Sequence, residues 1–258
     1  MIRVENLVQH YSVRLILRGV SFEAHKGEIL VIMGPNGMGK STLLGAIGGV
    51  LAPQDGFVEI GGLRRRSSEE NELTIRRQTF YLPDQAWIPP MKTGREWGLA
   101  VARLWEVNEL RALEHLEHLL QVFGMAGVAD SVVGSYSTGQ KKKIGLVCAF
   151  LTEAPVLLLD EPFSGGLDPS GLLATKSILQ YLAKEKGFTI IVATPVPELV
   201  EEIADRIMIL KEGRIAALDS MAGLKATAGA ETLEEAYEKL TNPQTLENLQ
   251  TYMQSRPK

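Results

Sequence analysis

One stretch near the start of the chain has residue types and spacing suited to a specific chemistry. Residues 34–42 read Gly-Pro-Asn-Gly-Met-Gly-Lys-Ser-Thr. That is the spacing of a phosphate-binding loop, Gly-x-x-x-x-Gly-Lys-Ser/Thr. Gly34, Gly37 and Gly39 lack a Cβ, so the backbone can turn tightly and aim its N–H groups into one concavity. Pro35, Asn36, Met38 and Thr42 complete the loop, and a triphosphate fits inside it. Lys40 adds a mobile positive charge for the β- and γ-phosphates, and Ser41 offers a hydroxyl to Mg2+. A helix starting here turns the positive end of its dipole toward the same anion.

A second stretch, Val-Leu-Leu-Leu-Asp-Glu-Pro at 156–162, is an apolar run that ends in two adjacent carboxylates. In nucleotidases a carboxylate at a strand end beside a phosphate loop is the second Mg2+ anchor, the role expected of Asp160. Glu161 then falls near the γ-phosphate, where it can orient or deprotonate an attacking water.

These groups need a frame. Glu28 to Met33 reads as a short buried strand feeding the glycine loop, and 41–48 as the helix leaving it. Strand, loop and helix in that order are the context the motif requires. Before and after it, 2–7, 15–22 and 57–60 read as strands; with 28–33 they suggest a β-rich layer that the loop and its helix interrupt. Turns are expected at 25–27 and 53–56. Phe80-Tyr-Leu is a further short strand. From about 92 to 125 the pattern becomes helical. Thr93-Gly-Arg-Glu96 fits a capping box. Trp97, Val101, Leu104 and Trp105 share one face, and Leu113, Leu116, Leu120 and Phe123 share another. The three tryptophans, Trp87, Trp97 and Trp105, all fall in this insert. Strands at Val156–Asp160, Thr189–Ala193 and 206–210, separated by helical segments, then predict a parallel sheet. Lys211-Glu-Gly-Arg is a hairpin signal. The tail after Met221 is polar, with a helix expected over 232–240 and a break at Asn242-Pro243.

Composition narrows the function classes. The chain has 258 residues, 45% of them hydrophobic, enough for a real core. A formal charge of −4 argues against sequence-independent nucleic-acid binding. A single cysteine, Cys148, excludes an internal disulfide and fits a reducing compartment. The N-terminus lacks the apolar stretch of a secretory signal, and the apolar runs are too short to span a bilayer. Any membrane role is therefore expected to go through a partner.

With both motifs in place, the chain resembles the ATP-binding-cassette (ABC) family over roughly residues 1–220, with a helical insert at about 86–150 and a C-terminal helical extension at 221–258. Tyr-Ser-Thr-Gly-Gln at 136–140 is similar to the family signature Leu-Ser-Gly-Gly-Gln, keeping Ser137, Gly139 and Gln140. The resemblance implies that this loop opens a helix whose N-terminus reaches the γ-phosphate held by an opposite subunit. Ser164-Gly-Gly-Leu-Asp168 resembles the family's D-loop, and Tyr11 stands where the family stacks an aromatic on adenine. The tail motif Glu-Thr-Leu-Glu-Glu-Ala-Tyr at 231–237 is similar to ATPases of the exporter type.

The chain departs from the family twice. Thr194, Glu198 and Asp205-Arg206 hold the register of the switch-histidine region, but the histidine position is Pro195. The histidines are His10, His25, His115 and His118, and none follows Asp160. Proline also lacks an N–H and fixes φ. In the family the histidine contacts the γ-phosphate and holds the water with the glutamate, so the resemblance implies slow hydrolysis in this site. In the Q-loop, Tyr-Leu-Pro-Asp at 81–84 puts Asp84 where many members carry glutamine, a variant contact to Mg2+ or water or else a solvent-facing loop acid.

Other features have plainer readings. His115 and His118 are expected on a solvated helix face. Arg64 to Arg66 read as an exposed loop, and Lys141 to Lys143 as a charge run on the surface of the signature helix. Trp87-Ile-Pro-Pro-Met91 falls where the family receives a short helix of the membrane subunit; simple packing of the insert is the other reading.

The expected whole is an α/β P-loop nucleotidase core: a parallel sheet, an antiparallel β layer and a helical insert. The implied function is an ATP-binding and ATP-hydrolysing subunit, with ATP and Mg2+, working as a homodimer or heterodimer with a second cassette. It would serve a membrane-spanning permease from the cytoplasmic face, with no nucleic-acid partner. The alternatives are a regulatory subunit that binds ATP without hydrolysing it, paired with an active cassette, and a soluble ABC ATPase outside transport.

Overall fold

The computed structural model describes residues 1–242, 244, 248 and 251–253. The chain opens with β1 (Ile2–Tyr11), β2 (Arg14–Ala24) and β3 (Ile29–Met33), followed by the glycine loop and α1 (Lys40–Ile47). Then come β4 (Asp55–Ile60), β5 (Leu63–Arg64), α2 (Glu69–Gln78) and β6 (Thr79–Leu82). Next come α3 (Gly94–Leu104), α4 (Glu109–Val122) and α5 (Thr138–Leu151). The remainder is β7 (Val156–Asp160), α6 (Pro169–Lys186), β8 (Thr189–Ala193), α7 (Pro197–Ile203), β9 (Arg206–Lys211), β10 (Arg214–Asp219), α8 (Met221–Ala228) and α9 (Leu233–Thr241).

The strands form two sheets. One is antiparallel in the order β2-β1-β4-β5; the other runs β10-β9-β3-β8-β7-β6, parallel except for the β9–β10 hairpin. This corrects one expectation. The strand before the glycine loop does not belong to the opening β layer but lies inside the parallel sheet, between β8 and β9. Its sequence, Ile-Leu-Val-Ile-Met, is buried at every position, as a strand covered on both faces must be. β1 and β2 instead alternate buried and exposed positions.

The pleat of β3 divides the core. Leu30 and Ile32 join Leu43, Leu44 and Ile47 of α1 and the inner faces of β1, β2 and β4. Ile29, Val31 and Met33 face the cluster that also takes in α3 to α7. The layers are thus antiparallel sheet, α1, parallel sheet and outer helices. Leu224 of α8 and Leu233 and Tyr237 of α9 bury into the larger cluster, so the described part of the tail is packed.

Sequence periodicity missed α2. It buries only Ile75, so it has no apolar stripe. Its signals are at the ends: Ser68 accepts from the Asn71 N–H, acids fill the first turn, and Arg76 and Arg77 occupy the last. The Thr93 capping box is present with both bonds, 3.1 Å and 3.0 Å. Trp97, Val101, Leu104 and Trp105 do share a face. On α4, Leu113 is exposed, and Ala112 and Leu119 join Leu116, Leu120 and Phe123 in the core. The predicted hairpin turn has Glu212 and Gly213 both at positive φ, 48° and 74°, as a tight two-residue turn demands. The tail helix ends at Thr241; Pro243 lies outside the described residues.

Candidate nucleotide site

Parallel strands deliver their C-terminal ends to one edge, and that is where open α/β sheets bind ligands. Here β3 ends in the glycine loop, β7 in Asp160-Glu161, β8 in Thr194-Pro195, and β6 just before Pro83-Asp84. Register makes them neighbours: Asp160 pairs with Ala193, and Ala193 with Ile32. Pro195 therefore sits beside the strand ends that carry Asp160 and the glycine loop.

The loop is shaped by backbone that only glycine tolerates well. Gly37 and Gly39 have φ of 79° and 106°. A Cβ on Gly39 would lie 2.9 Å from Leu17 of β2, and one on Gly34 would run into the Leu210 carbonyl of β9. The Met38 thioether accepts from the Glu212 N–H at 3.3 Å, tying the loop to the β9–β10 turn. Asn36, Gly37 and Ser41 are exposed, so the concavity is open to solvent. Lys40 is buried and folds back over the loop, with Nζ donating to the carbonyls of Gly34 at 2.7 Å and Pro35 at 3.4 Å. Burial lowers its pKa, and the charges of Glu161 and Asp160 oppose the shift.

Asp160 is buried, and its Oδ1 has no hydrogen-bond partner. Burial raises its pKa, the Ser41 hydroxyl pulls it down by hydrogen bonding, and the Asp84 charge raises it again. A buried carboxylate oxygen with no donor, beside a serine hydroxyl, is a donor set for a hard cation. Ser41 and Asp160 therefore fit Mg2+, and the glycine loop with Lys40 fits a triphosphate.

Glu161 follows directly, with a φ of 50°. Left-handed backbone at a non-glycine residue costs of order 1–3 kcal/mol and persists only where the surroundings enforce it. Its N–H donates to the Ala193 carbonyl at 2.8 Å. Its own carbonyl accepts from the Ser164 N–H at 3.1 Å, Ser164 Oγ at 2.9 Å and Lys142 Nζ at 2.9 Å. Burial raises the pKa of its carboxyl, Lys40 pulls it down, and Asp160 and Asp84 push it up.

The signature residues build the start of α5. Ser137 is the N-cap, and Oγ accepts from the Gln140 N–H at 3.2 Å; Gln140 Oε1 accepts from the Ser137 N–H at 2.8 Å. The Gln140 side chain is thus engaged in its own cap, while Ser137 is exposed with its O–H left to donate. Gly139 allows a close approach: a Cβ there would lie 2.5 Å from the Gly166 carbonyl of the loop after β7. Tyr11, at the end of β1, is half exposed.

Several plain readings need correction. The lysine run is not a surface patch. Lys141 is exposed, but Lys142 is buried, and Lys143 pairs with Asp168 at 2.8 Å. The first arginine run is not simply an exposed loop, because Arg65 is buried and bonded to the Ile47 carbonyl and Glu72. His115 is half buried, with Nδ1 3.6 Å from Glu153. Asp84 is not aimed at solvent alone. Its Oδ1 accepts from Lys142 Nζ at 3.1 Å and from Ser164 Oγ at 2.9 Å. Lys142 is the site neighbour that motif reading passed over, and Ser164 was read only as the start of the D-loop. The register of Lys142 on α5, one turn past Gly139 and facing the loop after β7, was the available signal.

Comparison with known proteins agrees with this geometry. The family described as ABC transporter matches residues 17–164, from β2 through the phosphate loop to the loop after β7. The "Probable amino-acid ABC transporter ATP-binding protein" of Haemophilus influenzae is 30% identical over 224 residues, covering 83% of this chain and 86% of its own. A solved ATP-binding subunit of an ABC transporter superposes with a TM-score of 0.86 at 30% identity, covering 93% of this chain and 99% of that one. A dimeric ATP-binding cassette solved in a post-hydrolysis state with ADP and Pi gives 0.76 at 27% identity, covering 85% and 98%. With the loop, the carboxylate pair and the sheet edge that joins them, these likenesses place the chain in the ABC transporter family, as an ATP-binding cassette.

Proposed function

We propose that this chain hydrolyses ATP as one half of a cassette dimer that drives a membrane permease, with Glu161 as the group that orients or deprotonates the attacking water. The observation that carries the reading is the convergence at one sheet edge of Lys40, the unpartnered oxygen of Asp160 and the strained Glu161. In this reading the cassette spans 1–220, with the insert at about 86–150 and the extension at 221–258. Tyr11 packs on adenine and Ser41 and Asp160 hold Mg2+. The loop 34–42 of one subunit and the Ser137 end of α5 of the other enclose the triphosphate. Mg2+, when bound, neutralises phosphate charge. The exposed Ser137 hydroxyl and the N-terminus of the 14-residue α5 suit an anion brought by a second subunit. The tail motif at 231–237 is similar to that of exporter-type ATPases.

Pro195 makes hydrolysis slow. No imidazole stands at the β8 end to hold water and phosphate together, and one such polar contact is worth about 3 kcal/mol, on the order of 10²-fold in rate. Pro195→His should therefore raise steady-state phosphate release toward that factor. Unchanged turnover in Pro195→His, at a rate matching histidine-containing relatives, would show that another group does this work. The regulatory reading, ATP binding without turnover beside an active cassette, rests on the same Pro195. It gains if purified wild type binds ATP but releases no phosphate until a second cassette is added.

The permease surface is the groove of about 280 Å³ between the loop after β6 and α3, lined by Phe80, Trp87, Ile88, Trp97, Leu104 and Trp105. Trp87 is 77% exposed and Leu104 70%. Among the described residues no helix is long and apolar enough to cross a membrane. In this reading the cassette attaches at the cytoplasmic face through this groove. Ile88 is half buried against the core, so Trp87→Glu is a cleaner probe than Ile88→Glu. Both should release the cassette from membranes that carry the permease, Trp87→Glu with an unchanged thermal melt and Ile88→Glu with a lowered one. Undiminished co-purification of Trp87→Glu with the permease would place the docking surface elsewhere.

A further inference from the structure

We propose that Lys142 is a positioning residue for ATP hydrolysis, holding Glu161 in its strained backbone conformation and linking it to Asp84. The inference rests on the reading of Glu161 given above. The Lys142 ammonium has three donors, and all have partners within one site: the Asp84 carbonyl at 2.9 Å, Asp84 Oδ1 at 3.1 Å and the Glu161 carbonyl at 2.9 Å. One side chain of α5 thus bonds both the loop after β6 and the residue after β7. Ser164 repeats the pattern from the third side, its single O–H shared between Asp84 Oδ1 and the Glu161 carbonyl, each 2.9 Å from Oγ.

Stability does not account for this lysine. Its side chain is 6% exposed, and its one carboxylate partner is 45% exposed. A buried ammonium loses solvation that such a pair seldom repays, and an apolar side chain of similar volume is often neutral or better. What the lysine does provide is geometric. A positive φ at a glutamate needs outside restraint, and among the described residues Lys142 is the one charged donor on the Glu161 carbonyl. It also sits five residues beyond Ser137 on the same helix. A rigid shift of α5, as when a second subunit engages its N-terminus, is carried directly to the backbone of Glu161.

The test compares wild type with Lys142→Met, Lys142→Arg, Ser164→Ala and Glu161→Gln by phosphate release, Mg-ATP titration and thermal melting. Lys142→Met should keep its KM, its ATP affinity and an equal or higher melting temperature. Its kcat should fall on the order of 10²-fold, the scale of a misplaced catalytic group. Lys142→Arg, which keeps charge and reach, should regain most of that loss. Ser164→Ala should lower kcat in the same sense by less. A Lys142→Met protein with wild-type kcat overturns the proposal, as does one whose melting temperature, ATP affinity and kcat fall together. Should Lys142→Met not fold, Ser164→Ala at full rate overturns it instead. Glu161→Gln separates the two readings. If it retains full turnover, the assignment of Glu161 fails whatever the Lys142 variants do. If it is inactive while Lys142→Met is normal, only the role of Lys142 fails.

Discussion

Glu161→Gln is expected to lose hydrolysis by 10²-fold or more and to accumulate as an ATP-bound dimer. A positioned acid or base contributes roughly 10²–10⁴-fold, and Pro195 leaves no imidazole nearby to compensate. The substitution is nearly isosteric. It leaves the backbone bonds from Glu161 to Ala193, Ser164 and Lys142 in place, so the fold should persist. Burial already disfavours the Glu161 carboxylate, and a neutral amide removes that cost without touching the glycine loop. Binding of Mg-ATP should therefore hold or tighten while phosphate release stops. Sedimentation in Mg-ATP should show a dimer that wild type forms only transiently. Turnover equal to wild type would remove Glu161 from the mechanism; lost turnover with no dimer would leave Glu161 in place and remove the closed two-subunit state.

Lys40→Ala is expected to weaken Mg-ATP binding by a hundredfold or more, about 3 kcal/mol, with folding intact. Losing one partner of a hydrogen-bonded charge pair costs 2–5 kcal/mol or more in binding. Folding should survive because Lys40 does little for the unliganded protein. Its ammonium is buried against two backbone carbonyls of its own loop, and desolvation disfavours its charge. Alanine removes that desolvation cost, and Gly34 and Gly39 stay packed against β9 and β2. Nucleotide titration alongside circular dichroism melts checks both halves. Equal affinity in the two proteins would mean that the loop is not the phosphate site. A large fall in melting temperature would mean that Lys40 also supports the fold.

The chain's own sequence determined the chemistry at 34–42 and 156–161, because those jobs need particular residue types at fixed spacing: glycine where φ is positive, a lysine one residue on, carboxylates at the end of an apolar strand. It also determined most strands and the capped α3, since period-two alternation, continuous apolar runs and capping boxes are local signals. It did not reveal α2, whose evidence is at its ends rather than in a stripe. It could not place β3, because a buried apolar run reads the same in either sheet. Leu113 lies outside the buried stripe of α4 because a small rotation moves a residue at the edge of a stripe across the burial boundary.

What only tertiary structure decided is which polar groups meet. Lys142 reads as one of three consecutive lysines on a helix, yet it is separated by 58 residues from Asp84 and by 19 from Glu161, the partners that bury it. Asp84 and Ser164 are 80 residues apart and share a hydrogen bond. Gln140, a signature residue by motif, also closes its own helix cap through Oε1. The physical reason is the same in each case. Spacing along the chain specifies local backbone and the face of a helix or strand. The partner of a buried charge is chosen by sheet order and helix packing, which bring four strand ends and the start of α5 to one edge.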